Sequence, residues 1–266
     1  MMITSPAFPA VKRFSKTFLS AFLLSGLLFS GGCGSFSGST SEKDFAHQRS
    51  DFSSEYTEMD AAITEDAEVE AFLSEYAEAL NREMNRRISI STAVIERGQP
   101  ESPLGNLTAD ITRERASRAL GREVDIALLN RGGLRTPIPE GDVTVGMMYE
   151  LMPFENYITL LKFSGEQIRD IANELAVEGG EPVSGLRMRI DGDRATDILV
   201  GGDPVRAGQT YWLATNNWMA DGGGPIPTLW EPLERRDTTT LLRDAFIESL
   251  NTRQEISPET DGRIRE

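Results

Sequence analysis

The sequence predicts an α+β fold, a single domain with a mixed β-sheet flanked by helices, over residues 66–266. Two observations predict this class. Segments whose apolar residues recur at helical spacing are interspersed with β-branched, apolar segments typical of strands. These segments do not follow the strict βαβ alternation of a parallel sheet, and no internal repeat is visible.

The first predicted helix covers residues 66–87, followed by a β-branched strand at residues 88–95. Glutamates dominate the first half of the helix and arginines its end, an order that complements the helix dipole. Its apolar residues share one face. They are Val69, Phe72, Leu73, Tyr76, Ala77, Leu80 and Met84.

The second helix is delimited by its own capping residues. Ser102 is suited to cap its start, Pro103 to occupy its first turn, and Gly121 to end it. The remaining elements follow from the same signals. They are a buried strand at 124–130, a short helix at 145–151, a strand at 156–163, a helix capped by Ser164 with Gln167 in a capping box, strands at 185–190, 195–200 and 210–215, and a last helix at 239–250.

Residues 1–32 have the features of an export signal. Three basic residues precede a short apolar segment, and small residues then lead to Cys33, the only cysteine of the chain. This arrangement resembles a bacterial lipoprotein signal and predicts lipidation of Cys33. The chain is then exported and lipid-anchored in the bacterial cell envelope, on the periplasmic or outer-membrane face. The alternative is a plain secretory signal with an incidental cysteine.

Residues 33–65 are rich in glycine and serine and are expected to form a flexible tether. The formal net charge is −15, and removing residues 1–32 takes away three positive charges and no negative ones, which leaves about −18. Because such an acidic surface repels phosphate backbones, we expect no nucleic-acid partner.

The single histidine, His47, lies in the tether. The predicted domain therefore lacks the imidazole that a Ser–His or Cys–His nucleophile pair needs, and the several imidazoles of a dinuclear metal centre. We expect no catalytic residue and no metal ligand in this chain. A site built from carboxylates alone stays open as an alternative, although no carboxylate pair stands out.

Two glycine loops follow predicted strands. In the first, Gly132 and Gly133 can expose backbone N–H groups between Arg131 and Arg135, and Asn130 precedes them. Bare backbone beside arginines suits an anion, and guanidinium groups bind phosphate in a bidentate manner. A tight turn with solvated arginines is the simpler alternative.

The second loop, residues 214–227, carries Trp218 and Asp221 and contains three consecutive glycines. Phe154 also lies at a predicted strand end. Two rings at strand ends can sandwich a flat base, whereas Asn130 and Asp221 can hold hydroxyls or base edges. The alternative for each ring is packing in the core.

Four motifs, "ESPLGNLTAD", "LLNRGGLRTPI", "MPFENYITLLKFSGEQI" and "TNNWMADGGG", resemble the C-terminal domain of 5′-nucleotidases in order and spacing, from about Ala67 onward. The resemblance implies a domain that binds the nucleoside part of a nucleotide. It implies substrate contacts by Asn130 and Arg135, stacking by Phe154 and Trp218, and a polar contact by Asn156. Trp218 stands where the family usually has phenylalanine.

The sequence departs from this family at two places. Gly224 occupies the position of an aspartate that holds ribose hydroxyls, for which Asp221 is a candidate substitute, and Arg97 is displaced by one position from a family arginine. The metallophosphatase half, which carries two divalent metals in the fused enzymes, is replaced by the signal and tether.

The resemblance therefore implies a substrate-binding subunit that has no autonomous activity and acts with a separately encoded metallophosphatase. That partner would supply the divalent metals, with residues 66–87 as a candidate docking surface. The alternative is a non-enzymatic surface lipoprotein that captures nucleosides or nucleotides.

Overall fold

A computed structural model describes residues 66–266 of the chain. The predicted signal, the tether and Cys33 lie outside these described residues. Within them, none of the helices is both long and apolar enough to cross a bilayer.

Six α-helices, two short 3₁₀ turns and eleven strands make up the described part of the chain. The helices are α1 (Ala67–Met84), α2 (Pro103–Leu120), α3 (Val145–Leu151), α4 (Gly165–Val177), α5 (Asn217–Ala220) and α6 (Leu242–Asn251), and the 3₁₀ turns are Arg131–Gly133 and Pro227–Trp230. The strands are β1 (Arg87–Ser91), β2 (Ile126–Leu128), β3 (Gly141–Thr144), β4 (Tyr157–Ser164), β5 (Val183–Ser184), β6 (Leu186–Asp191), β7 (Arg194–Val200), β8 (Asp203–Pro204), β9 (Thr210–Asn216), β10 (Glu234–Leu241) and β11 (Ile264–Arg265).

A five-stranded sheet in the order β10-β4-β9-β2-β5 forms the centre of the domain. Its β2–β9 pair is parallel and its other pairs are antiparallel. A four-stranded sheet, β11-β6-β7-β8, and the pair β1-β3 are smaller. The mixed sheet with flanking helices confirms the predicted α+β class.

The hydrophobic core is divided between the two faces of the central sheet, because successive strand residues point to opposite sides. Trp212 and Ala214 of β9 pack with α2, α3 and α6 on one face. Tyr211 and Leu213 of the same strand pack on the other face with α4 and the four-stranded sheet. With both faces covered, the loops at the strand ends are the positions left for a binding site.

Helix capping follows the sequence prediction. The Ser102 Oγ accepts a hydrogen bond from the Gly105 N–H at 3.1 Å, and Gly121 ends α2 with φ +75°. At α4, the Ser164 Oγ accepts from the Gln167 N–H at 3.2 Å, while the Gln167 side chain accepts from the Ser164 N–H at 3.0 Å. The predicted capping box is confirmed.

Several predicted boundaries are wrong. The helix predicted at residues 66–87 ends at Met84, and the strand predicted at residues 88–95 ends at Ser91. The strand predicted at residues 124–130 is limited to Ile126–Leu128, and the helix predicted from Thr239 begins at Leu242. Residues 239–241 instead complete β10, an edge strand that pairs only with β4 in the central sheet. Because its charged and threonine-rich sequence lacks an apolar alternation, the pattern gave no sign of a strand.

Candidate functional site

Three predicted site segments meet at one edge of the central sheet. Because β2 and β9 are parallel, the loop that begins at Asn130 and the loop that carries Trp218 leave the sheet at the same edge. Strand β4 is antiparallel to β9 and begins at that edge, with Ile158 opposite Asn216. Phe154, just before β4, is thereby brought to the same place.

Two consecutive asparagines bind these segments to one another. Asn216 is fully buried; its Nδ2 donates to the Asn130 Oδ1 at 2.9 Å, and its Oδ1 accepts from the Met219 N–H at 2.9 Å. The Asn217 Oδ1 accepts from the Tyr157 N–H at 2.8 Å. The end of β9 is therefore fixed to the first glycine loop on one side and to the start of β4 on the other. These roles were not predicted from the sequence, because the bonded partners are distant along the chain and the short helix α5, which Asn216 caps and Asn217 begins, was not predicted either.

The first glycine loop is a 3₁₀ turn in which the Gly133 N–H donates to the Asn130 carbonyl oxygen at 3.0 Å. Among the described glycines, those with positive φ do not include Gly132 or Gly133, so the conformational freedom that the sequence suggested is not used. Glycine is needed at position 133 for steric reasons. A Cβ there would lie 3.2 Å from both the Oδ1 and the Nδ2 of Asn130, so glycine makes room for that side chain.

Three arginines converge on this loop. The exposed Arg135 donates from Nη1 to the Gly132 carbonyl at 3.1 Å, and Arg97 donates from Nη1 to the Leu134 carbonyl at 2.6 Å. Arg131 is half-buried, and its Nη1 is buried without a hydrogen-bond partner among the described residues. The loop therefore concentrates positive charge, which suits an anion. The bare backbone expected from the sequence is largely absent, because the N–H groups of Arg131, Gly133, Leu134 and Arg135 are all bonded within the domain.

A buried carboxylate that sequence reasoning missed lies against the same loop. The Oε2 of Glu181, which is 9% exposed, accepts a hydrogen bond from the Arg131 backbone N–H at 2.5 Å. Burial raises the pKa of Glu181, the backbone N–H and charge of Arg131 oppose that rise, and Glu178 adds to it. Glu181 thus fixes the start of the turn through a bond between residues far apart in sequence.

The two candidate stacking rings are at the surface. Phe154 is 44% exposed and Trp218 is 47% exposed, so packing in the core is the wrong interpretation for both. Gly223 and Gly224 cover part of the Trp218 indole. A Cβ on Gly223 would overlap the ring carbons Cδ2 and Cε2 and lie 2.5 Å from the Trp218 carbonyl oxygen. The glycines therefore let the backbone lie directly against the indole.

Of the remaining predicted polar residues, Asp221 is bonded through its side chain and Asn156 through its backbone. The Asp221 Oδ1 accepts from the Arg235 Nη1 at 2.6 Å, and Arg235 also pairs with Asp237 at 3.0 Å. The hydrogen bond to Asp221 is the main cause that raises the pKa of Arg235. Asn156 is half-buried, and its backbone carbonyl accepts from the Leu242 N–H at 2.8 Å.

Residues 66–266 contain no group of three or more histidine, cysteine, aspartate or glutamate side chains placed to hold a metal ion. The chemistry that this edge offers is recognition: flat apolar rings, an oriented amide and arginines.

Residues 80–231 match the family described as 5′-nucleotidase, C-terminal domain. The match covers more than half of the chain and includes both glycine loops, Phe154 and Asn156. This chain belongs to that family. Much of helix α1 lies outside the matched range of this 5′-nucleotidase C-terminal domain.

Similar proteins carry the domain as part of a longer chain. A 5′-nucleotidase of Vibrio parahaemolyticus is 28% identical over 177 residues, which are 63% of this chain and 30% of that protein. The trifunctional nucleotide phosphoesterase YfkN of Bacillus subtilis is 28% identical over 231 residues, which are 78% of this chain and 16% of that protein. This chain therefore spans a third or less of either relative.

Among solved structures, a 5′-nucleotidase precursor from Thermus thermophilus superposes with a TM-score of 0.64 at 28% identity, covering 76% of this chain and 43% of that one. This likeness supports the mixed-sheet fold of the 5′-nucleotidase C-terminal domain.

Proposed function

We propose that this domain binds the nucleoside part of a nucleotide at the sheet edge, as the substrate-binding subunit of a 5′-nucleotidase-type phosphohydrolase. The observation that carries the proposal is the pair of half-exposed rings, Phe154 and Trp218, on segments held together by Asn216 and Asn217. Aromatic side chains kept at the surface by a rigid scaffold are suited to stacking on a ligand.

The binding mechanism follows from the contacts. Each base–ring stack contributes about 1–3 kcal/mol and tolerates different bases. Because the Asn130 Oδ1 accepts from Asn216, its Nδ2 is the group left to donate to a ligand. Arg135 keeps further N–H groups beyond the one bonded to Gly132, and with Arg131 it provides the charge that attracts the phosphate end.

The contribution of this chain to catalysis would be positioning. A nucleotide that is bound and oriented beside the reactive centre reacts as if the step were intramolecular, which lowers the entropic part of the activation barrier. We propose that a separately encoded metallophosphatase supplies the divalent metals, and that lipidation at Cys33 keeps the subunit at the membrane of the cell envelope.

The binding proposal is tested by calorimetric titration of the full chain with AMP, adenosine and a UDP-sugar. Trp218→Ala should weaken binding of AMP by about fivefold to a hundredfold, the equivalent of one lost stack. Trp230→Ala is the matched control, because Trp230 is 46% exposed but lies outside the two loops. An unchanged affinity in Trp218→Ala, or an equal loss in both variants, would refute the stacking role.

The partnership is tested by measuring phosphate release from AMP. The chain should raise the rate of a metallophosphatase from the same organism, and the Trp218→Ala variant should raise it less. If AMP binds but no rate changes, the chain is a nucleotide-capturing lipoprotein. Fast release by the purified chain alone would contradict the need for a partner.

A further inference from the structure

The Phe154 ring is carried by a short connector, residues 152–156, between α3 and β4. Residues 153–155 of this connector are exposed, so the packing around them does not by itself hold the ring in one place. An aromatic ring that is already ordered binds a ligand at a smaller entropic cost than a mobile one. What holds the connector therefore determines how well Phe154 can stack on a base.

Two consecutive residues at the start of α6 hold the two ends of the connector. The Arg243 Nη1 donates a hydrogen bond to the Met152 carbonyl oxygen at 3.1 Å. The Leu242 N–H donates to the Asn156 carbonyl oxygen at 2.8 Å. Because both donors belong to one helix, a rigid element fixes the two ends of the connector relative to each other.

The Arg243 guanidinium is buried without a carboxylate partner. Arg243 is 6% exposed, and no ion pair of this residue is present among residues 66–266. Its Nε is buried with no hydrogen-bond partner in the same part of the chain. The guanidinium carbon lies 4.0 Å from the centroid of the Tyr149 ring, whose face attracts a cation. The partial negative charge at the end of α3, where Met152 is the cap, adds to this compensation.

Stability alone does not explain an arginine at position 243. Burial of a charge without an ionic partner costs free energy, and an apolar side chain of similar volume is often as stable or more stable. A methionine would, however, leave the Met152 carbonyl oxygen without its donor. The feature that requires arginine is therefore the bond that joins α6 to the start of the connector.

We propose that Arg243 is a positioning residue that keeps the Phe154 ring in place for a flat ligand. The inference rests on the proposed nucleotide-binding role of Phe154, and it adds a residue that acts through the ring and does not contact the ligand. Tyr149 orients the guanidinium, and Arg243 fixes the Met152 end of the connector that carries the ring.

Hydrogen exchange of the full chain without ligand, measured by mass spectrometry, tests whether Arg243 holds the connector. Arg243→Met should speed exchange of the connector amides on the order of tenfold, the effect of losing one hydrogen bond from a charged donor. Exchange in α4, on the other face of the central sheet, should stay as in the wild type.

Arg169→Met is the matched control for this measurement. The Arg169 Nη2 also donates to a loop carbonyl oxygen, that of Val205, but this loop precedes β9 and so lies at the opposite end of that strand from the candidate site. Unchanged exchange of the connector in Arg243→Met, or an equal increase there in Arg169→Met, would overturn the inference whether or not the chain binds nucleotides.

Calorimetric titration with AMP shows whether Arg243 acts through the ring. Arg243→Met should weaken binding by about threefold to tenfold, a part of what the whole Phe154 stack contributes. In a Phe154→Ala background the same substitution should change the affinity by less than about twofold, because no ring is left to position. An equal loss in both backgrounds would overturn the inference. A wild-type chain that binds no nucleotide would refute the proposed function, and the exchange experiment then still decides whether Arg243 holds the connector.

Tyr149→Leu replaces Arg243→Met in the exchange experiment if the latter does not fold. Tyr149 is 40% exposed, and substitutions at exposed positions rarely prevent folding. Without the ring over the guanidinium, the connector amides should exchange about twofold to fivefold faster. An unchanged exchange rate in this variant would also contradict the inference.

Discussion

Replacing Asn216 by alanine tests whether the buried amide holds the site together. Asn216 is fully buried and makes two side-chain hydrogen bonds, to the Asn130 Oδ1 and from the Met219 N–H. Loss of the helix cap costs about 1 kcal/mol, and loss of the bond to Asn130 about 0.5–1.5 kcal/mol. The free energy of unfolding should therefore fall by about 2 kcal/mol.

Urea unfolding followed by circular dichroism gives the size of this loss. With a denaturant slope of roughly 2–3 kcal/mol per molar, the midpoint should fall by about 0.7–1 M while the slope stays constant. Asn217→Ala is the control, because the Tyr157 N–H that it leaves is at an exposed site where water can replace the lost acceptor. If Asn216→Ala lowers the midpoint no more than Asn217→Ala does, the argument from burial is wrong.

Asn216→Asp tests whether the orientation of the Asn130 amide matters for binding. The carboxylate can still accept from the Met219 N–H, so the cap is kept. However, it has no amide to donate to the Asn130 Oδ1, and the Asn130 amide is expected to turn so that its Nδ2 faces the new acid. The group offered to a ligand then changes from donor to acceptor. Because the new carboxylate is buried, its desolvation lowers stability as well, and we expect clearly weaker AMP binding than in the wild type. Unchanged affinity would show that the orientation of Asn130 is irrelevant.

Two further substitutions probe the loops. Burial raises the pKa of Glu181 above its ordinary value of 4.5. The wild-type protein therefore loses stability as the pH rises from 4.5 through the raised pKa, whereas the side chain of Glu181→Gln stays neutral. The free energy of unfolding of Glu181→Gln relative to wild type should therefore increase over that interval and then level off; a constant difference would contradict this. Gly223→Ala should displace the Trp218 ring, lower stability by about 1–3 kcal/mol and weaken AMP binding, whereas Gly208→Ala, with open space around it, should do neither. Equal behaviour of the two glycine variants in unfolding and titration would refute the steric argument.

Local signals in the sequence were sufficient for much of the fold. Helix α2 was bounded correctly by Ser102, Pro103 and Gly121, because capping depends on side chains within a few residues of the helix end. The strands of the central sheet were recognisable where burial makes them apolar. Strand β10 was not, because an edge strand needs no apolar run and its pairing with β4 is a contact across the fold.

The site was predictable to the level of its loops but not of its contacts. Glycines and arginines after a strand are visible in sequence, whereas the bonds from Asn216 to Asn130 and from Arg131 to Glu181 join residues 86 and 50 positions apart. Both depend on strand order: β9 lies next to β2, and β5, which follows Glu181, lies on the other side of β2. A pattern that describes one strand at a time contains no information about its neighbours.

The ion pair of Asp221 bears on how a ribose would be held. Asp221 is the candidate substitute for the family aspartate that Gly224 replaces, yet its carboxylate is bonded to Arg235. The Asp221 side chain is 54% exposed and the Arg235 side chain 34% exposed. Such a surface ion pair contributes only about 0–1 kcal/mol to stability. Arg235 would also keep its bonds to Asp237 if Asp221 turned away. A ribose hydroxyl would therefore compete only with the weak Asp221–Arg235 ion pair, and breaking that pair leaves no buried charge unpaired. A bound nucleotide can thus recruit Asp221 at a small cost in free energy.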